Sequence, residues 1–192
     1  MTVGNEDARV ARTRADVSRT VRRLLAEEGW DAVTHAHVAR VAGYSKTTLY
    51  THWPARADLL RIAVESLGDL PHSEATGDLR ADLIAEVTAF RIAIEELALD
   101  KVLMALAQQG ATVEQIAEVR RALVADGERH VRYLLGTVAD GPRCDAAVQM
   151  MSGVVLCPAV MYGELPDDEL IAQAVDILLG GLGTGGQGAG TA

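Results

Sequence analysis

Apolar residues recur every three or four positions along most of this chain, the period of a helix that buries one stripe. Val17, Val21, Leu24 and Leu25 form such a stripe across 13–28, with arginines opposite. Leu59, Leu60, Ala63, Val64 and Leu67 form another after Pro54, and Leu79, Leu83, Val87, Phe90 and Ile94 a third across 78–96. Helices over 97–109 and 113–138 follow, the second weakened by Gly127 and Gly136. Gly141 and Pro142 then break the pattern. The last two helices are the most apolar. One carries Ala147, Met150, Met151, Val154, Val155 and Pro158, the other Leu170, Ile171, Ala174, Val175, Ile177 and Leu178. The acidic turn between them complements the dipole of the second helix. Together with two short helices between Thr34 and Thr51, the pattern predicts an all-α fold of about nine helices.

Those two short helices carry the strongest local signals. Thr34 precedes a stripe of Val38, Ala39 and Ala42 and is a good N-cap. Gly43 follows at once, where a helix of two turns must stop and glycine accepts a left-handed bend cheaply. Ser45 is a second N-cap, opening a helix through Lys46, Thr47, Thr48, Leu49, Tyr50 and Thr51, and Pro54 ends or redirects it. Two short helices joined by a tight glycine turn form a helix-turn-helix, here at 34–53. The second helix carries the small and polar outward groups of an element that enters a DNA major groove. Leu49, Trp53, Trp30 and Val33 are assigned to the core.

The order T-x-x-x-V-A-x-x-A-G-x-S-x-x-T-L-Y-x-H-W-P-x-R from Thr34 to Arg56, followed by Asp58, Leu59 and Leu60, resembles the DNA-binding domain of TetR-family transcriptional regulators. The likeness spans about 13–67 and is much weaker in the C-terminal part. Trp53 stands where the family has mostly Phe, Arg56 where it has mostly Lys, and Ala36 where a longer polar side chain is common. The resemblance implies phosphate contacts for Thr34, Thr48, Tyr50, His52 and Arg56, and sequence reading by Lys46 and Thr47. Phosphate contacts give affinity and register, base-edge contacts give specificity. The domain organisation expected is a flexible basic arm at 1–10, a head at 11–67, a helical effector-binding and dimerisation body at 78–180, and a disordered glycine-rich tail at 181–192.

Charge sharpens this division. The chain has 192 residues and a net charge of -9. Residues 1–67 hold ten Lys or Arg against eight Asp or Glu, a net of +2, and residues 68–192 hold eight against nineteen, a net of -11. An acidic body is repelled by phosphate, so the N-terminal part is the one that approaches DNA. Aromatic residues make up only 4%, so the core is built from Ala, Val, Leu, Ile and Met. No signal-peptide pattern and no apolar run of bilayer length stands out, and the chain is read as cytosolic. Cys144 and Cys157 lie too far apart on one helix for a disulfide.

Beyond the head, the signals are coarser. Phe90, Arg91, Met104, Gln108, His130, Tyr133, Met150, Met151 and Met161 are candidates for an effector pocket, because methionines adapt to varied apolar shapes and the others offer polar contacts. The acidic body favours an apolar or cationic effector. The stripes of the last two helices exceed what one small body can cover, which predicts a homodimer through Met150, Gly153, Val154, Ala174 and Ile177. No phosphate loop, nucleophile–base pattern or metal motif is present, so no cofactor and no enzymatic activity is expected. The expected function is a transcriptional repressor released from an inverted-repeat operator by a small molecule. The alternatives are a helical adaptor that has lost specific DNA recognition, towards which Ala36 leans, and a small helical enzyme.

Overall fold

A computed structural model describes residues 3–68, 70 and 72–184, with side chains placed from residue 8 to 183. Among the described residues there are nine α-helices and one short 3-10 turn, Trp30–Ala32. The helices are α1 (Val3–Glu28), α2 (His35–Ala42), α3 (Lys46–His52), α4 (Arg56–Glu65), α5 (Leu79–Leu97), α6 (Leu99–Gly110), α7 (Glu114–Leu135), α8 (Gly141–Met161) and α9 (Asp168–Thr184). They group into two compact units, Met1–Asp69 with Leu97–Leu123, and Leu70–Glu96 with Val124–Ala192. The body expected as one run at 78–180 is therefore interrupted, because α6 and the start of α7 pack with the head.

In the first unit, α1 is the spine against which α2, α4 and α6 pack. Val17, Val21, Leu24 and Leu25 are buried there with Val38, Leu49, Leu59, Leu60, Ile62 and Ala63. Each fully buried Leu or Val contributes on the order of 2 kcal/mol. α1 begins ten residues earlier than the stripe predicted. Thr13, taken as the start, sits inside the helix with its hydroxyl donating to the Arg9 carbonyl at 3.0 Å. The expected flexible arm is thus continuous with α1 from Val3, and the signal was missed because residues 8–12 are exposed and bury no stripe. Gly29 ends α1 at φ 78, ψ -179, a conformation that only glycine adopts readily.

The second unit contains α5, α8, α9 and the end of α7. Leu83, Val87, Ile94, Val131, Leu135, Val148, Met151, Val155, Ile171 and Val175 are buried in it. Arg80 ties α5 to α9 through two bonds to Asp176, at 2.6 and 2.9 Å. The segment before α5 is clasped by two buried carboxylates of that helix. Glu86 accepts from the Ser73 amide and hydroxyl and pairs with His72 Nδ1 at 2.5 Å. Asp82 accepts from the Thr76 amide and hydroxyl and from the Gly77 amide. The Thr76 hydroxyl, then its amide, hold the Asp82 carboxyl below its ordinary range.

Two further expectations change. By length and composition α8 is apolar enough to cross a bilayer, contrary to the sequence expectation. The core helix of a folded domain passes the same test, and α8 buries Ala147, Val148, Met151, Val155 and Ala159 within its own unit. The glycine-rich stretch expected as a disordered tail from 181 begins inside α9, which runs to Thr184. The rest of that tail lies outside the described residues.

Candidate nucleic-acid interface

The helix-turn-helix forms where its caps predict. Thr34 Oγ1 accepts from the His37 amide at 3.2 Å and opens α2. Gly43 stops it in the left-handed region at φ 77, ψ 28, and the Tyr44 amide closes the end on the Ala39 carbonyl at 2.9 Å. The Tyr44 hydroxyl donates to Asp16 at 2.9 Å, pinning the turn to α1. Ser45 Oγ accepts from the Thr48 amide at 3.0 Å and shares a hydrogen with the Thr48 hydroxyl at 2.8 Å.

The two faces of α3 then separate by helical spacing. Leu49 and Trp53 point inward and are buried. Lys46, Thr47, Tyr50, Thr51 and His52 are exposed, and Thr48 is half-buried. Thr34, at the head of α2, is exposed as well. The structure thus gathers six of the seven expected DNA contacts onto exposed or half-exposed positions of the helix-turn-helix.

Arg56 is occupied differently. Its Nε donates to the Val33 carbonyl at 2.6 Å, Nη2 donates to the Trp30 carbonyl, and the guanidinium lies 4.2 Å over the Trp30 ring. A planar fork satisfies two carbonyls and stacks on an indole at once, which a lysine could not do. Trp30, assigned to the core, is half-buried and serves as the platform for this cation.

Sequence reasoning missed His35. It is buried, Nε2 lies 2.6 Å from the Trp53 carbonyl, and its ring stacks on Tyr50 with centroids 4.1 Å apart and planes 9° apart. The signal was available, because His35 shares the i, i+3, i+4, i+7 stripe of Val38, Ala39 and Ala42.

The nominated pocket residues fall in both units. Met104 and Gln108 are exposed and belong to the first unit. In the second unit Met151 is buried and Phe90, Arg91 and His130 are half-buried, while Tyr133, Met150 and Met161 are exposed. Arg91 is engaged with the Pro166 carbonyl at 2.9 Å and with Asp168 at 2.7 Å. His130 stacks with Tyr133 at 6.1 Å and lies 5.7 Å from His72, and Nε2 of both histidines is buried without a hydrogen-bond partner. A groove of about 250 Å³ in the first unit is lined by Asp16, Arg19, Thr20, Arg23, Val41 and Ala42, none of them nominated. Among the described residues no group of three or more His, Cys, Asp or Glu side chains could hold a metal ion.

The nominated dimer residues lie on α8 and α9. α8 and α9 pack together, and Met150 and Ile177 are exposed while Gly153, Val154 and Ala174 are half-buried. Val160, Met161, Tyr162 and Leu170 extend the exposed apolar surface of these helices.

Residues 19–62, from α1 through the helix-turn-helix into α4, match the family described as bacterial regulatory proteins, tetR family. The crystal structure of the TetR family transcription regulator SCO0332 superposes with a TM-score of 0.59 at 32% sequence identity, covering 88% of this chain and 97% of that one. The chain belongs to the TetR family. An uncharacterized HTH-type transcriptional regulator of Mycobacterium tuberculosis is 25% identical over 167 residues, 80% of this chain and 79% of its own. The DNA-binding transcriptional repressor TetR of Mycobacteroides abscessus is 36% identical over 70 residues, 35% of this chain and 37% of its own. As a TetR-family protein, the chain is a DNA-binding transcriptional regulator of the helix-turn-helix type, and its matched segment contains Thr34, Lys46, Thr47, Thr48, Tyr50, His52 and Arg56.

Proposed function

We propose that the chain acts as a homodimeric repressor that grips an inverted-repeat operator and is released by a small-molecule effector. The observation that carries this reading is the division of α3 into a buried anchor, Leu49 and Trp53, and an exposed face with Lys46, Thr47, Tyr50 and His52. Two copies of α3 enter successive major grooves about 34 Å apart. Thr34, Thr48, Tyr50 and His52 touch phosphates, and Lys46 and Thr47 read base edges. Arg56 braces the floor of the head through Trp30 and Val33.

The two copies associate through α8 and α9, whose exposed apolar side chains support a four-helix interface centred on Gly153, Val154, Ala174 and Ile177. The effector binds the acidic body and is apolar or cationic, because a net charge of -11 over residues 68–192 disfavours anions on approach. It acts by differential affinity for two conformations, with no chemistry performed on it. The protein works in the cytoplasm, where its DNA is.

The test is selection of bound fragments from genomic DNA, footprinting of the enriched fragment, and a screen for small molecules that release it. Protection of an inverted repeat, lost on addition of an apolar or cationic compound, is expected. Enrichment of no sequence over random DNA would overturn the reading.

A further inference from the structure

α3 has seven residues, and a helix that short has no stability of its own in water. Both ends are therefore held from outside. Ser45 holds the first turn, but the last carbonyls of any helix lack intrahelical donors. His35, on α2, supplies one to the Trp53 carbonyl at 2.6 Å. A carbonyl only accepts, so Nε2 carries the proton in this bond. The donor fixes the imidazole, and the fixed ring forms a floor for Tyr50. The rings lie 4.1 Å apart and 9° from parallel, with His35 only 7% exposed and Tyr50 54% exposed.

We propose that His35 is a positioning residue for DNA binding. Clamped to the end of α3 by the Trp53 carbonyl, it holds the Tyr50 ring in its phosphate-binding orientation and does not itself touch DNA. This rests on the assignment of Tyr50 to a phosphate. An exposed tyrosine on a surface helix otherwise samples several rotamers, and ordering one at an interface lowers affinity by roughly two- to tenfold. Stacking on a ring already locked in place meets that cost before DNA arrives. Phe is the discriminating replacement, because it keeps a flat face beneath Tyr50 and loses only the clamp. Leu fills the same space without a face.

The full chain is tested against a mixed-sequence duplex of about 30 base pairs at low salt, a sufficient probe because phosphate contacts are independent of sequence. Affinity is measured by fluorescence anisotropy for the wild type, His35→Phe and His35→Leu, each with Tyr50 intact and in the Tyr50→Ala background. Thermal unfolding of each variant confirms that the heads are folded. With Tyr50 intact the expected order is wild type, then Phe, then Leu, spanning roughly two- to tenfold. In the Tyr50→Ala background the three should agree within about twofold. The Tyr50 ring-proton resonances should move in the Leu variant towards those of an unstacked tyrosine. Equal affinities for the Phe and Leu variants, or the same fold-loss with and without Tyr50, would assign His35 to the core alone. A Tyr50→Ala change that leaves duplex binding untouched would remove the phosphate assignment and this proposal with it. Failure of the wild type to bind any duplex would count against the DNA-contact reading as a whole.

Discussion

Arg56→Met removes the guanidinium while keeping most of the aliphatic stem, and its effect separates a bracing role from a phosphate contact. Four interactions are lost: the bonds to the Val33 and Trp30 carbonyls, the stack over Trp30 at 4.2 Å, and an exposed ion pair with Asp31 at 4.0 Å that adds little. A charged hydrogen bond contributes about 1.5–3 kcal/mol when buried and less here, because the side chain is about one-third exposed. The stack adds about 0.5–1 kcal/mol. Together they suggest a loss of roughly 2–4 kcal/mol, or a Tm lower by roughly 4–16 °C for a chain of this size. Arg56→Lys should recover little, because an ammonium cannot donate to both carbonyls and stack at once. Calorimetry or circular dichroism reads the stability. Anisotropy at several salt concentrations, at a temperature where both proteins are folded, reads the DNA contact. The salt dependence of binding should keep its wild-type slope, because no phosphate neutralisation is lost. A wild-type Tm together with a log–log slope flattened by about 0.9 would refute the bracing role and give Arg56 to a phosphate.

Lys46→Ala should narrow the gap between operator and scrambled DNA by about 1–3 kcal/mol, read from the ratio of the two dissociation constants, and an equal loss on both would reassign Lys46 to the backbone. Ile177→Glu and Val154→Glu each place a carboxylate on the apolar surface of α8 and α9. Sedimentation at micromolar concentration should find monomers, and an unchanged dimer mass in both would exclude that surface as the interface. Asp82→Asn tests the clasp through its pH dependence. The folded carboxyl is held below its ordinary range, so the stability it contributes is present above that range and lost as pH falls through the lowered value. The variant should therefore be less stable at neutral pH and converge on the wild type in strong acid, and a constant difference down to low pH would contradict this. Gly43→Ala should cost about 1–2 kcal/mol from backbone strain alone, since an added Cβ meets nothing within 4 Å.

The helix-turn-helix was legible because each of its boundaries has a local chemical cause. Thr34, Gly43 and Ser45 act within four residues of themselves, so spacing alone places the two helices. What spacing left open there needed tertiary information. Arg56 stands 26 residues from the Trp30 carbonyl that it satisfies, and nothing in the pattern distinguishes a fork bent inward from one facing a phosphate. His35 was not singled out, although its place on the apolar stripe of α2 could be read from spacing alone. In the body, periodicity located the helices within a few residues, but an apolar stripe carries no record of whether its partner is a neighbouring helix, a ligand or another copy. Met151 is buried while Met150 and Met161 are exposed, a split that composition could not anticipate. The clasp of Asp82 and Glu86 was missed altogether, because acids near a helix start look like ordinary dipole partners until their donors are in view.

The division of labour within α3 bears on how such a protein acquires a new target. Ser45, Leu49 and Trp53, with Gly43 and Tyr44 before them, hold the helix in place, while Lys46, Thr47, Thr51 and His52 project from it. Apart from the bond of Thr51 to the Thr47 carbonyl, which lies within the helix, no hydrogen bond among the described residues ties these four side chains to the scaffold. Surface changes of this kind shift stability by about 0.5 kcal/mol or less. The preferred DNA sequence can therefore drift, or be rewritten in the laboratory, at little thermodynamic penalty, as type is reset in an unchanged frame. A library randomised at those four positions should remain largely folded and diverge chiefly in which duplexes it selects.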